Sequence, residues 1–204
     1  MNITNRTFGN KMFWFNKRLF DIFICLLLIP LLLLFSIILL FFNYFFNKGS
    51  LLYIQDRMGK NCKIFLAIKF RTMTPVKKIT RKYYDPIEVN RITPLGGILR
   101  KIRIDELPQI LNVLKGDMSL IGPRPDYYIH ALEYLQNIEG YRERHSIKPG
   151  ITGLSQIRLG YAESLDAISQ KAHVDNYYIK NVGYMIELKI ILNTILIILK
   201  GLGK

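Results

Sequence analysis

The chain has 204 residues, half of them hydrophobic, and a mean hydropathy of +0.17, although 22% of its residues are charged. These values argue against both an ordinary soluble protein and a bundle of spanning helices, and they indicate one folded domain attached to an apolar segment. The 29 lysines and arginines against 15 acids give a net charge of +14, which attracts nucleic acid, anionic lipid or phosphorylated substrates. The cysteines and histidines lack metal-ligand spacing, which argues against a disulfide or zinc scaffold.

The apolar segment begins at Leu19, and the stretch from Ile22 to Phe42 is uncharged for 21 residues. As a helix this stretch is about 31 Å long, enough to cross a bilayer. Pro30 lies inside it, and because proline lacks a backbone donor we expect the helix to kink there. Two courses through a membrane remain open at this point: a kinked spanning helix, or a helix that enters, breaks at Pro30 and returns.

The charges on both sides of this segment bear on that choice. Residues 1–18 carry four cations and no acid, and residues 48–83 carry ten cations against a single acid, Asp56. Cationic flanks favour the cytoplasmic side, so both ends are expected on the same face. Asp21 lies four residues after Lys17, which predicts an ion pair at the membrane interface. Alternatively, both side chains reach the water of the lipid headgroups.

The remaining pattern is a mixture of short strands and helices, which predicts an α+β domain that is mostly helical. Strands are predicted at Leu51–Gln55 and Ile64–Phe70, and residues 74–94 form a proline-containing loop. Helices are predicted at Leu95–Ile102, Asp105–Leu114, Tyr127–Gln136 and Ser164–Tyr178. The tail from Met185 to Leu202 is mostly apolar, but its uncharged stretch is too short to span a membrane. It predicts an interfacial helix, with an ordinary core helix as the alternative.

Two adjacent carboxylates, Asp105 and Glu106, come just before an apolar helical pattern. An aspartate in this position is favourable simply as a cap for the first amides of a helix. The functional interpretation is that the two carboxylates divide the chemistry. One attacks phosphorus or binds a divalent cation, and the other orients water or metal.

Several basic side chains are candidates for binding phosphate. Arg124 stands between Pro123 and Pro125, and the two rigid prolines would hold its forked guanidinium in place. Lys69 and Arg71 share a face at the end of the second strand, and Arg57 lies one strand earlier. For any one of these a solvated side chain is the simpler explanation, so the prediction depends on their combination.

Together these residues resemble the bacterial sugar transferase family, the monotopic phosphoglycosyl transferases. The resemblance covers nearly the whole chain in the family's order. The matching stretches are KRLFD (17–21), QDRMG (55–59), KFRTM (69–73), LRKIRIDELPQILNVLKGDMSLIGPRP (99–125), KPGITG (148–153) and DNYYIKN (175–181). The resemblance implies a re-entrant helix–break–helix at Pro30 on a small cytoplasmic catalytic domain with a short β element. The corresponding divisions are a basic segment (1–18), the membrane helix (19–47), the catalytic domain (48–184) and an interfacial helix (185–204).

The resemblance also implies a two-step reaction on the cytoplasmic face of the bacterial inner membrane. Asp105 matches the nucleophile that attacks the β-phosphate of a UDP-sugar and releases UMP. Undecaprenyl phosphate then accepts the phosphosugar, as the first membrane step of O-antigen, capsule or glycoprotein synthesis. Glu106 matches the second acid, with Mg²⁺ expected at the pair, while Arg124 and Arg100 match phosphate-facing positions.

Two departures from the family pattern concern the membrane helix and the sugar. The break is often Ser-Pro but here is Ile29-Pro30, and Leu154-Ser155-Gln156-Ile157 replaces Trp-Ala-Gln-Val. Gln156 is kept and is predicted to contact substrate. No nucleic-acid partner is expected. The competing hypotheses are a membrane-tethered basic binding module and a non-catalytic scaffold, neither of which gives a role to Asp105.

Overall fold

The computed structural model describes residues 11–46, 49–76, 85, 88–160 and 164–201. Predictions that rest on other residues, including the cations Arg6, Lys48, Lys77, Lys78, Arg81 and Lys82, lie outside this part of the chain. The described helices are α1 (Lys11–Phe46), α2 (Pro94–Lys101), α3 (Gln109–Lys115), α4 (Tyr128–Asn137), α5 (Leu154–Leu159), α6 (Leu165–Lys180) and α7 (Tyr184–Leu199). The strands are β1 (Leu52–Met58), β2 (Ile64–Phe70), β3 (Ser119–Ile121) and β4 (Gly150–Thr152). A mostly helical α+β fold is therefore confirmed.

One predicted helix begins later than its sequence pattern indicates. The pattern placed a helix at Asp105–Leu114, but Ile104–Glu106 is a 3₁₀ turn and α3 begins only at Gln109. The cause is local: Arg103 adopts a left-handed backbone (φ 58°) that turns the chain. Pro108, which has no amide to donate, immediately precedes α3. The two carboxylates therefore lie in a tight turn, outside the regular helix.

The strands form two separate two-stranded sheets. β1 and β2 pair antiparallel from Leu52 opposite Phe70 to Met58 opposite Ile64. Asn112 of α3 is buried against β2, where its side-chain oxygen accepts from the Ile68 amide at 3.0 Å and its nitrogen donates to the Leu66 carbonyl at 2.7 Å. These bonds satisfy backbone groups on the edge of β2. They also hold the turn that precedes α3 beside the end of β2.

The long helix α1 buries a narrow face against the rest of the protein along its length. Its buried residues are Phe13, Lys17, Asp21, Cys25, Leu32, Leu39 and Asn43. In the most apolar part of α1 only 17% of the residues are buried, unlike the core helix of a soluble protein. By length and apolarity α1 could cross a membrane. The helix continues on both sides of Pro30, so an in-and-out course through a bilayer stays a prediction.

The predicted interfacial pair between Lys17 and Asp21 is wrong, and so is the alternative that both reach solvent. Lys17 is buried and binds Glu187 of α7 at 2.6 Å, where the Tyr178 hydroxyl also donates at 2.7 Å. Asp21 is buried as well and accepts from the Leu120 amide at 3.1 Å. The partners are far away in sequence, and the two side chains thus fasten α1 to the domain.

Helix α7 packs on the core with one side, and its position at a membrane interface stays a prediction. Ile190 packs in a core cluster with Ile121 and Tyr178. The opposite side exposes large apolar residues, namely Met185, Leu188, Leu192, Ile195, Leu196 and Leu199. An exposed apolar surface of this kind is typical of a face that contacts a partner or a membrane.

Removing the cation of the Lys17–Glu187 pair should destabilise the protein strongly. Lys17→Met would leave the Glu187 carboxylate buried without a positive partner, which costs about 3–5 kcal/mol. For a chain of this size that corresponds to a loss of roughly 10 °C in Tm, measured in detergent. Lys17→Met combined with Glu187→Leu should recover most of the loss, while Lys11→Met on the exposed start of α1 should change little. An unchanged Tm in Lys17→Met would contradict the expected role of the pair.

Candidate active site

Asp105 and Glu106 are both buried in the 3₁₀ turn between α2 and α3. The turn is closed by bonds from the Glu106 amide to the Arg103 carbonyl at 3.2 Å and from the Leu107 amide to the Ile104 carbonyl at 3.0 Å. The capping role considered for Asp105 is wrong, because its carboxylate accepts no backbone amide of the turn or of α3. Its burial therefore has another cause than helix capping.

The Glu106 carboxylate is neutralised by side chains from three parts of the fold. Lys69 of β2 binds Oε1 at 2.6 Å, and Arg124 bonds to both carboxylate oxygens. The Arg103 guanidinium lies 3.8 Å from Oε2. Burial alone would raise the pKa of Glu106, but the charges and hydrogen bonds of Arg124 and Lys69 hold it well below its usual value. Glu106 is thus an ionised anchor for two cations.

Asp105 is in a different environment from its neighbour. Its carboxylate makes no hydrogen bond or ion pair with any residue that the structure describes, although the residue is only 8% exposed. Burial raises the pKa of Asp105 to about 6, opposed by the Lys69 charge and reinforced by Glu106. Adjacent carboxylates with opposite pKa shifts are typical of sites where one acid reacts and the other stabilises charge.

The other predicted basic residues, Arg57, Arg100 and Arg71, lie at three different positions. Arg57 donates from Nη1 to the Pro125 carbonyl at 3.0 Å, behind the Arg124 loop. Arg100 donates to Thr72 Oγ1 at 3.0 Å. Arg71 packs against Gly49, where an added Cβ would lie 2.2 Å from its Nη1. Of the predicted basic residues, Lys69 and Arg124 are the two that bind Glu106. A small cavity lies between these two side chains and Arg57.

The loop that carries Arg124 is built against the KPGITG segment. β3 and β4 pair in parallel, and the Gly150 amide donates to the Pro123 carbonyl at 3.0 Å. A Cβ on Gly150 would lie 2.1 Å from the Gly122 nitrogen, so only glycine permits this approach. Gln156 is buried next to the β3–β4 sheet, and its side chain donates to the Ile151 carbonyl of β4 at 3.2 Å. Its contact with substrate stays a prediction.

The sequence interpretation missed the buried charges behind this loop. Asp126, Arg144, Lys171 and Asp175 form ion pairs with one another. A partial signal existed, because Lys171 and Asp175 lie four residues apart on one helix and Asp126 directly follows Pro125. Arg103, whose left-handed backbone orients the turn, was also missed, and its local sequence carries no glycine or asparagine to indicate that conformation.

A magnesium site made by the protein alone does not fit the residues that the structure describes. No group of three histidine, cysteine, aspartate or glutamate side chains among them could hold a metal ion. The Glu106 oxygens already face cations, so Asp105 is the carboxylate with free oxygens. Mg²⁺ is often held by one or two carboxylates together with substrate phosphates and water. Asp105 fits an ion of that kind.

The sequence matches the family described as bacterial sugar transferase over residues 12–201. It is 38% identical over 192 residues to the UDP-N-acetylgalactosamine-undecaprenyl-phosphate N-acetylgalactosaminephosphotransferase of Aeromonas hydrophila, covering 93% of this chain and 45% of that protein. It is 37% identical over 155 residues to the UDP-glucose:undecaprenyl-phosphate glucose-1-phosphate transferase of Escherichia coli K12, covering 73% and 32%.

The relatives differ in how much of their own length this chain covers. The chain spans less than half the length of the Aeromonas and Escherichia proteins. It covers 92% of the exopolysaccharide production protein PSS of Rhizobium leguminosarum, to which it is 36% identical over 192 residues. The part of the chain that matches the family model includes Asp105, Glu106 and Arg124.

Proposed function

The chain belongs to the bacterial sugar transferase family, and from this premise we propose that it transfers a sugar-1-phosphate from a UDP-sugar to undecaprenyl phosphate and releases UMP. The observation that carries the proposal is the buried, unpaired carboxylate of Asp105 next to a Glu106 that holds Lys69 and Arg124. A binding module or a scaffold gives no reason to bury an unpaired carboxylate, which costs free energy.

In the first step, an Asp105 oxygen attacks the β-phosphorus of the UDP-sugar. The new bond joins the carboxylate to phosphorus, and the bond from that phosphorus to the bridging oxygen breaks. The electron pair leaves with UMP, and the phosphosugar stays on Asp105. Because the Asp105 carboxylate has no described protein partner to give up, it is ready to react once ionised.

The cations beside Glu106 stabilise the charge that develops on the transferred phosphoryl group. Phosphoryl transfer depends mainly on positioning and on charge neutralisation. Arg124 presents a planar fork that suits two phosphate oxygens, and Lys69 adds a point charge. Mg²⁺, when bound with the diphosphate, would neutralise further negative charge near Asp105.

In the second step, a phosphate oxygen of undecaprenyl phosphate attacks the phosphorus held on Asp105. The Asp105–phosphorus bond breaks, the carboxylate is regenerated, and the product is a polyprenyl diphosphate sugar. Glu106 keeps Lys69 and Arg124 in place through both steps. The atoms balance without any further reactant.

The reaction should depend on pH in a bell-shaped manner. Burial raises the pKa of Asp105 to about 6 and lowers that of Lys69 to about 8. The kcat/KM for the donor should fall as the pH drops through 6, because the nucleophile is protonated, and fall again above 8, because Lys69 loses its charge. Lys69→Arg should move only the alkaline limb to higher pH, since guanidinium stays protonated. A kcat/KM that is unchanged down to about pH 5 would contradict the assignment of Asp105.

We further propose that α1 enters and leaves the membrane on the cytoplasmic face. Lys17 and Asp21 near one end bind Glu187 and the Leu120 amide, and Leu39 near the other end packs in one cluster with Phe65 and Phe70 of β2. A spanning helix would carry one of these ends to the opposite side. The Lys17–Glu187 pair holds α7 beside α1. The exposed apolar side of α7 therefore supports lipid contact next to α1.

Labelling of single cysteines tests this topology. In a chain whose two native cysteines are replaced, Lys11→Cys marks the exposed first residue of α1 and Ser50→Cys marks an exposed residue four positions after its end. In intact spheroplasts neither position should react with an impermeant maleimide, and both should react after lysis. Labelling of one position from outside would show a spanning helix.

Intact-protein mass spectrometry tests the proposed reaction directly. The protein, held in nanodiscs, is incubated with Mg²⁺ and a panel of UDP-sugars that includes UDP-glucose and UDP-N-acetylgalactosamine, the sugars in the relatives' names. The expected result is a mass increase of one phosphosugar and release of UMP before any lipid acceptor is added. Turnover that requires undecaprenyl phosphate without any adduct would overturn the covalent step alone. Inactivity with every donor and acceptor would overturn the transferase proposal.

A further inference from the structure

A buried cluster of charged side chains lies behind the loop that carries Arg124. Its centre is Arg144, whose side chain is fully buried in a 3₁₀ turn at Glu143–His145. Asp175 on α6 is equally inaccessible, with 1% of its side chain exposed. Nothing in the proposed reaction uses these groups directly, so their burial requires a separate explanation.

Arg144 contacts acids on both sides and the backbone of the loop. Nη1 pairs with Asp126, while Nη2 lies 2.8 Å from Asp175 Oδ2, to which Nε donates at 3.0 Å. Nη2 also donates to the main-chain carbonyl of Arg124 at 2.8 Å. One guanidinium thus joins α6, the residue after the proline–arginine–proline loop, and Arg124 itself.

Asp126 is held by further donors that neutralise the cluster. Lys171 on α6 binds its Oδ1 at 2.7 Å, and the Tyr141 hydroxyl donates to its Oδ2 at 2.7 Å. Burial alone would raise the pKa of Asp126, but Lys171 and Arg144 hold it well below its usual value. With Arg144 and Asp175 the cluster contains two cations and two anions. The cluster is therefore neutral, although Oδ1 of Asp175 is buried without a hydrogen-bond partner among the described residues.

Three successive main-chain carbonyls are fixed from two parts of the fold, the 3₁₀ turn that carries Arg144 and the end of β1. The Arg124 carbonyl is held by Arg144, the Pro125 carbonyl by Arg57 at 3.0 Å, and the Asp126 carbonyl by the Met58 amide at 3.1 Å. On the other side of this backbone, the Arg124 side chain reaches Glu106. Fixing the backbone in this way fixes the origin of the Arg124 side chain, and with it the position of the guanidinium.

We propose that Arg144, supported by Asp126 and Asp175, is a positioning residue that aims Arg124 at the substrate phosphates. A buried ion cluster is a costly means of stabilising a fold, because apolar residues of similar volume often serve as well or better. Its geometry does supply what a phosphate clamp needs, which is a fixed guanidinium before substrate arrives. The inference rests on the proposed function, since it assumes that Arg124 binds phosphate.

The test is a double-mutant cycle between the cluster and Arg124. Arg144→Lys keeps the charge but loses the forked guanidinium that reaches the Arg124 carbonyl. Asp175→Asn weakens the ion pair that holds Arg144 from α6. Each should lower kcat/KM for the UDP-sugar donor by about 10²-fold in an otherwise unchanged chain, the cost typical of an ångström-scale misplacement. In an Arg124→Ala background the same changes should have little further effect, because the group they position is absent. Because variants that carry Arg124→Ala are expected to react slowly, their rates are measured in single-turnover assays with radiolabelled donor.

Matched variants separate positioning from a general loss of stability. Ile179→Val, buried on the same helix in a different cluster, should lower Tm without changing kcat/KM at temperatures where the protein is folded. Tyr141→Phe, which removes one hydrogen bond to Asp126, provides a milder cluster variant if Arg144→Lys does not fold. It should lower kcat/KM several-fold, again only when Arg124 is present.

Two outcomes overturn the inference while leaving the proposed function standing. In the first, cluster variants lower activity equally with and without Arg124. In the second, activity follows only the folded fraction, as for Ile179→Val. If the wild-type chain is inactive with every donor, the proposed function fails and this inference fails with it. A wild-type chain that releases UMP but shows no coupling leaves the proposed function standing and rejects the positioning role alone.

Discussion

Asp105→Asn is expected to abolish both UMP release and the phosphosugar adduct. The amide has no ionised oxygen to attack phosphorus, and loss of a nucleophile lowers kcat by about 10⁴- to 10⁶-fold. The measurement is the rate of UMP release together with the intact mass, at saturating donor and near pH 8. Asp56→Asn removes an exposed carboxylate from β1 and is the matched control, with activity unchanged. An adduct that forms at the normal rate in Asp105→Asn would assign the nucleophile to another residue.

The same substitution should make the protein more stable above pH 6. Burial raises the pKa of Asp105 from 3.8 to about 6, so between these values the folded state binds more protons than the unfolded state. Stability is therefore lost as the pH rises through this window, by up to about 3 kcal/mol. Asp105→Asn carries no charge and avoids this loss. Its Tm should exceed that of the wild type at pH 8 and approach it near pH 4.

A thermal scan of both proteins across this pH range checks the prediction. The difference in Tm should grow between about pH 4 and pH 6 and then remain constant. If Asp105→Asn is less stable than the wild type at pH 8, the Asp105 carboxylate is stabilised by a partner when folded and is not an unpaired buried charge. Activity and stability would then change in the same direction, contrary to the expectation for a buried nucleophile.

Arg124→Ala is expected to cost about 10³-fold in kcat/KM for the donor, the lower range for loss of an arginine that stabilises a transferring phosphoryl group. The variant also leaves Glu106 with Lys69 as its closest cation, at 2.6 Å. Arg124→Lys should recover only a small part of the activity, since an ammonium cannot make the two parallel bonds of a guanidinium. Steady-state kinetics of UMP release measure both variants.

The control for Arg124 removes a cation without touching the site. Arg142→Ala changes an exposed arginine two residues before Arg144 and should leave kcat/KM within a factor of about two. Full activity in Arg124→Lys would show that only a positive charge is needed at this position. Full activity in Arg124→Ala would contradict a phosphate-binding role and would leave Lys69 as the main candidate.

Local sequence was sufficient for elements whose pattern and boundaries agree. β2 was predicted with the bounds that the structure shows, because its aliphatic residues form a continuous strand pattern. α6 follows Ser164, whose side chain caps the Ala167 amide at 3.1 Å, as expected for a serine before a helix. Asp105, Glu106 and Arg124 were identified as candidates by the motifs around them, and the structure brings Glu106 and Arg124 into contact.

Tertiary structure alone decided which partner each charged side chain meets. Lys17 was expected beside Asp21, but it pairs with Glu187 across 170 positions of sequence. Lys69 and Arg71, predicted to share a task, diverge: Lys69 binds Glu106, whereas Arg71 packs against Gly49.

By itself the sequence determined the apolar first helix, the α+β class and the acids and arginines available for phosphate chemistry, because these depend on composition, periodicity and motif. The fold decided that Glu106 is neutralised while Asp105 is left unpaired, and that Arg144 donates a hydrogen bond to the Arg124 carbonyl. The physical reason is that burial and pairing set the energy of a charge, and both depend on residues brought together from distant parts of the chain.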